Sequence, residues 1–199
     1  MRHASPACSL GQIIALVVVF AVLQPAGSGL AQSGPDAAAR AQRLDELFAR
    51  LKAAENEYEG GKIEAKIYEL WHQSGRPEID ELSLQAMILL PSGQYLSMLR
   101  VLDEIVQRAP DWAEGWNMRA TAHYLVGTCD GSLADIDRVL ALEPRHFGAL
   151  STMGHCHMHR GQYREALSAF RKALAINPFL QERLDVILEL EKKVGDKPH

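Results

Sequence analysis

This sequence has no basic cluster, no dense cysteine framework and no apolar run long enough to cross a bilayer. The first absence removes the electrostatic footprint of a nucleic-acid binder, and a net charge of −4 agrees with that. Three cysteines (Cys8, Cys129 and Cys156) are too few for a small disulfide-stapled scaffold. The sequence has no Gly-rich phosphate loop, no CxxC, no HExxH and no GxSxG, so the motifs of common enzyme classes are missing. Neither catalysis nor a cofactor is expected. Apolar residues make up 47% and charged residues 23%, enough to build a core of ordinary size.

The apolar run from Ile13 to Leu23 has 11 residues, whereas a membrane span needs about 20. It follows Arg2 and His3, is broken by Gln24, Pro25 and Gly27, and ends in Gly29-Leu30-Ala31. That order of basic start, short apolar run and small residues reads as a secretory signal over residues 1–31. Cys8 precedes the run, so it cannot serve as a lipoprotein cysteine. Cleavage would remove one Arg and no acid, taking the net charge from −4 to −5. The chain is expected to be exported to the periplasm, with no membrane span left after cleavage.

What the sequence does contain is a ruler. Gly93, Gly127 and Gly161 are 34 residues apart, and so are Pro110, Pro144 and Pro178. Between these marks apolar residues fall at helical spacing, as in Leu133, Ile136, Val139 and Leu140. Each Gly suits a turn between antiparallel helices, and each Pro closes the second helix. Three units follow: 79–112, 113–146 and 147–180.

A 34-residue helix–turn–helix unit with these marks resembles the tetratricopeptide repeat (TPR). The last unit carries the resemblance best, through Leu150, Gly154, Gly161, Ala166, Phe170, Ala173 and Pro178. The middle unit keeps Trp116, Ala120, Gly127, Ser132 and Pro144. The first departs at Met98 and Ile105, where small residues are usual. The expected fold is an all-α solenoid of antiparallel helix pairs. Small residues at Ala86, Ala120 and Gly154 should let paired helices approach closely.

The resemblance also implies a concave groove lined by the first helix of each unit. On this chain it assigns Asp80, Ser83, Met87, Leu90 and Pro91 from the first unit. The second gives Glu114, Asn117, Thr121, Tyr124 and Leu125, and the third Gly148, Ser151, His155, Met158 and His159. None is Lys or Arg, which argues against a carboxylate clamp for acidic C-termini. The expected ligand is an apolar or amphipathic peptide segment of another protein, with Met87 and Met158 adapting to its shape.

The flanks read as a flexible lead at 32–37, a degenerate helix pair at 38–76 serving as an N-terminal cap or, alternatively, as a separate coiled segment for self-association, and a capping helix at 181–194. In the pair, Gly60-Gly61 should break the chain and Gly75 and Pro77 should end it. The capping helix should bury Leu184, Ile187, Leu188 and Leu190. His155 and His159, four apart on one helix, are the candidate metal ligands, although zinc needs three or four. His157 and His123 should pack inward. Cys129 and Cys156 could pair or remain separate thiols. Two other functions stay open: a metal-binding protein using the His155–His159 tract, and an auxiliary subunit of an envelope enzyme.

Overall fold

The computed structural model describes residues 35–180 and 183–195. The expected export signal lies outside them. Among the described residues there are nine helices and no strand. They are α1 (Pro35–Ala53), α2 (Glu57–Trp71), α3 (Pro77–Leu89), α4 (Tyr95–Arg108), α5 (Ala113–Leu125), α6 (Cys129–Leu142), α7 (Phe147–His159), α8 (Tyr163–Ile176) and α9 (Arg183–Gly195).

Three hairpins form the body: α3/α4, α5/α6 and α7/α8. Gly93, Gly127 and Gly161 take φ values of 66°, 80° and 68° in the turns inside them. A side chain would strain that left-handed backbone. Pro110, Pro144 and Pro178 each stand two residues beyond the end of α4, α6 or α8.

Close approach within the hairpins depends on small residues. Ala86 and Ala120 are fully buried, and a Cβ on Gly154 would come within 2.7 Å of the Phe170 ring. The α5/α6 hairpin is also tied by Arg119. Its guanidinium donates to Asp135 of α6 at 2.6 and 2.8 Å and to Asp103 of α4 at 2.9 Å. The Asp135 hydrogen bond is the main reason the Arg119 pKa lies above its usual value.

His123 and His157 lie beside the core rather than inside it, the His123 ring resting on Gly131 of α6. Each is half-buried and closes its own turn. His123 Nδ1 lies 2.9 Å from Thr128 Oγ1, and His157 Nδ1 lies 2.8 Å from Gln162 Oε1.

Several expected boundaries move. The helix expected from residue 38 already starts at Pro35, a residue suited to a helical first turn. Gly60-Gly61 does not break α2. Asn56 caps that helix by accepting the Glu59 N–H at 3.0 Å, which places both glycines in the opening turns. Pro77 opens α3 rather than ending α2, because its missing N–H is harmless at a helix start.

The largest departure is the place of the α1/α2 pair. It does not stack ahead of α3 as a cap. Leu44, Leu47, Phe48 and Leu51 of α1 and Ile63, Ile67 and Trp71 of α2 share one buried cluster with Phe147 and Leu150 of α7 and Ala173 of α8. The α3/α4 hairpin has a separate cluster around Ile79, Ala86, Leu102 and Ile105. The aromatic partners for Phe48 and Trp71 are on α7, and nothing equivalent exists on α3. Arg145, just before α7, adds a charged tie to α1. It donates to Asp45 at 2.6 Å and lies 4.3 Å above the Phe48 ring.

At the other end α9 covers α8. Leu190 is buried against Ala166, Leu167 and Phe170, with Val186 and Ile187 packed beside it. Leu188, expected on that apolar side, instead faces out.

Candidate protein-binding groove

The first helices of successive hairpins, α5 and α7, form the inner face on which α2 lies. The end of α2 is held by Trp112, whose Nε1–H donates to the Trp71 carbonyl at 2.9 Å. The Trp71 ring stacks on His146 at a centroid distance of 4.0 Å, nearly parallel at 9°. Tyr68 meets Phe147 edge-on at 5.4 Å.

Beneath this stack lies a buried carboxylate. Glu114, in the first turn of α5, is only 3% exposed. It accepts the Asn117 Nδ2–H at 3.1 Å and pairs with His146 Nε2 at 3.0 Å. His146 Nδ1 accepts the Ala149 backbone N–H at 3.1 Å, so Nε2 must carry the ring proton and donate it to Glu114. His72, at the end of α2, brings Nδ1 to 3.7 Å from the same carboxylate. The position of Glu114 at a helix N-terminus, together with two N–H donors, offsets its burial.

This arrangement removes several expected contact residues from the reach of a ligand. Glu114 is committed to His146 and Asn117. Ser83 is buried and donates to Met118 Sδ at 3.7 Å. Asn117 and Thr121 are half-buried, the Thr121 hydroxyl donating to the Asn117 carbonyl at 3.0 Å. Met158 packs against the α8/α9 cluster. Asp80 accepts the Ser74 N–H at 2.9 Å. Met87, Leu90, Pro91, Leu125 and His159 are exposed.

The stretch of inner face that α2 leaves open is a cleft of about 640 Å³. Gly148, Ser151, Thr152 and His155 of α7 form one wall. Glu57, Gly61, Glu64, Ala65 and Tyr68 of α2 form the other, and Phe179 and Leu180 close the end. Phe179 lies on Gly60, where a Cβ would fall 2.4 Å from its ring. Asn177 positions that loop by donating to Glu64 at 2.8 Å and accepting the Phe179 N–H at 3.0 Å.

His155 sits between two rings, 5.9 Å from Tyr124 and 5.1 Å edge-on to Phe170. Gly148, Ser151 and His155 are thus the expected groove residues that line the cleft, and Tyr124 backs it.

A family model described as tetratricopeptide repeat matches residues 148–180, the stretch that supplies one wall of the cleft. A TPR repeat-containing protein of Rhizobium etli is 36% identical over 151 residues, spanning 74% of each chain. The chain belongs to the tetratricopeptide-repeat family. Solved TPR structures share its fold at low identity. The MamA protein aligns with a TM-score of 0.56 at 14% identity, covering 79% of this chain and 84% of its own. The TPR2B domain of yeast Sti1, solved as a complex with pHsp70, aligns at 0.54 and 18%, covering 62% of this chain and all of its own.

Set against the TPR groove implied by the repeat pattern, two sets of residues are new. Tyr68, Trp71 and His72 reach the groove from outside the repeats, and His146 comes from the turn before α7. The 34-residue ruler assigns none of them. The sequence signal that could have drawn attention to α2 is the cluster of aromatics at its end, Tyr68-x-x-Trp71-His72.

The metal candidates are not brought together. His155 faces rings, His159 is exposed, and among the described residues no three His, Cys, Asp or Glu side chains gather as a metal site. Cys129 and Cys156 are buried free thiols. Burial pushes the Cys156 thiol up to about 11, and the neighbouring Cys129 reinforces the rise.

Proposed function

We propose that this TPR protein is a non-catalytic interaction scaffold that works in the cell envelope. In this reading it holds an apolar or amphipathic peptide segment of a partner in the cleft between α2 and α7. The cleft itself carries the reading, since it joins hydroxyl donors to apolar walls and is large enough for several side chains. The TPR2B domain of yeast Sti1 is solved as a complex with pHsp70, which supports a role in binding another protein.

The lining excludes one kind of ligand. Among its described residues are Glu57 and Glu64 but no Lys or Arg. A segment ending in carboxylates would meet like charge there, so the partner segment is neutral or basic. Because α2 forms one wall, the ligand contacts both the repeats and the N-terminal pair.

The test is a photo-crosslinking amino acid placed at Thr152 in whole cells, with Glu165 on the outer surface as control. A partner captured from Thr152 and not from Glu165 is expected, and capture should vanish when Ser151→Trp fills the cleft. Equal capture from both positions, or capture that survives Ser151→Trp with the fold intact, would remove the cleft from the account. A captured envelope enzyme would make the chain its auxiliary subunit.

A further inference from the structure

Because α1/α2 packs on the inner face, no helix among the described residues covers the front of the first repeat. We infer that this front, the outer stripe of α3, is the contact between two copies of the chain in a two-fold dimer.

The stripe is Leu84, Met87 and Ile88, at i, i+3 and i+4 on one helix face, with exposed Pro91 following in the turn after α3. It is turned away from Ile79, Ser83 and Ala86, which α3 buries in its own hairpin. Leu84 is 61% exposed, Met87 42% and Ile88 70%. Together with Pro91 these exposures leave roughly 350 Å² of apolar surface per copy, of the size that marks an interaction site. Two copies would cover about 700 Å². A small specific interface buries about 1,200 Å² in total, somewhat over half of it apolar, so the stripe matches that requirement.

A second copy suits the stripe for reasons of charge and symmetry. No charged residue interrupts it, so two identical stripes do not repel each other. Its acid, Asp80, lies at one end, two turns before Met87. Antiparallel packing of α3 on its symmetry mate places the two Asp80 carboxylates about 20 Å apart, well beyond the Debye length of about 8 Å. Parallel packing would set them side by side. Leu84 and Ile88 form an i, i+4 ridge of the kind that interlocks with its own copy. At the far end of the solenoid the exposed Leu188 of α9 stands among Asp185, Glu189 and Lys192, so that face is largely charged. A closed two-fold contact follows, rather than an open head-to-tail chain.

Sedimentation equilibrium on the purified full chain, from micromolar to about a hundred micromolar, tests this. The wild-type chain is expected to be a dimer that dissociates on dilution. Leu84→Glu with Ile88→Glu should give a monomer with unchanged helicity, since both side chains are exposed. Leu142→Glu, another exposed apolar position, should leave the dimer intact. In a Cys8→Ser background, Ile88→Cys should form a disulfide-linked dimer on mild oxidation. A wild-type chain that is monomeric throughout would overturn the inference, whether the stripe is then covered by the chain's own Ile13–Leu23 run or by another protein. A dimer that survives the double substitution would place the contact elsewhere and overturn it equally.

Discussion

Replacing Trp71 with alanine should release the α1/α2 pair from the repeats while leaving the repeats folded. Trp71 stacks on His146 at 4.0 Å and touches Phe48, Tyr68 and Phe147, so it joins both helices of the pair to α7. Truncating a buried tryptophan costs about 3–5 kcal/mol. The backbone bond from Trp112 to the Trp71 carbonyl survives the change, so the loss is one of packing. At about 1.4 kcal/mol per factor of ten, local opening of the pair should become roughly two to three and a half decades more frequent. Hydrogen exchange read by mass spectrometry resolves this. Amides of residues 38–71 should exchange faster by that factor, while those of α5, α6 and α8 stay protected. Trp71→Phe, which keeps an aromatic ring, should fall between. Uniform acceleration across all helices would refute the argument, because the pair would then be an inseparable part of one cooperative unit. No change in α1/α2 would refute it too, since the stack would then hold nothing.

Other perturbations address the repeats and the buried groups. Ala120→Leu should lose about 1–3 kcal/mol in urea unfolding, because Ala120 is fully enclosed by Ile136, Val139 and Ala149. Glu114→Ala should cost about 1.5–3 kcal/mol by the same assay, since it strands the His146 and Asn117 donors inside the groove. The Cys156 thiol titrates near 11 when folded and near 9 when unfolded. Its contribution to stability is complete below pH 9 and lost as pH rises towards 11, because the unfolded chain gives up the proton first. Urea midpoints measured from pH 8 to 11 should therefore fall less steeply in Cys156→Ala than in wild type. In the native Cys8→Ser protein, a thiolate-directed reagent at pH 8 should label neither buried cysteine until denaturant is added.

The repeat body was legible because its information is local and periodic. A turn that needs positive φ admits few residues besides glycine, so Gly93, Gly127 and Gly161 stand out at a fixed interval. A helix that must stop two residues later selects proline in the same way. Even the His123–Thr128 and His157–Gln162 pairs obey the 34-residue spacing. They could have been read as turn closures, since a side chain beside a glycine turn is well placed to bond the chain's return. The register alone left those bonds unread, because it says where a Cβ points but not which partner lies within reach.

The place of α1/α2 was not legible, for a different physical reason. An amphipathic hairpin's pattern says that one face must be buried, and it is silent about the surface that buries it. Stacking ahead of α3 and lying across α5 and α7 satisfy the pattern of Leu44, Leu47, Phe48 and Leu51 equally well. The choice is made by long-range complementarity: Trp71 against His146, Phe48 against Phe147 at 6.4 Å, Arg145 to Asp45 and Asn177 to Glu64. These contacts join residues up to 113 positions apart, and no periodicity in the chain encodes them. The same choice has two functional consequences. It converts an open groove into a shorter cleft with a wall from outside the repeats, so under the proposed function ligand specificity would depend on α2 as much as on α7. It also uncovers the stripe on α3 that a stacked cap would have hidden. Loosening α2 and freeing the stripe are therefore separable, and Trp71→Ala should leave any association through Leu84 and Ile88 intact. A dimer lost on Trp71→Ala, with the α3 hydrogen bonds still protected, would show instead that the pair itself forms the contact between copies.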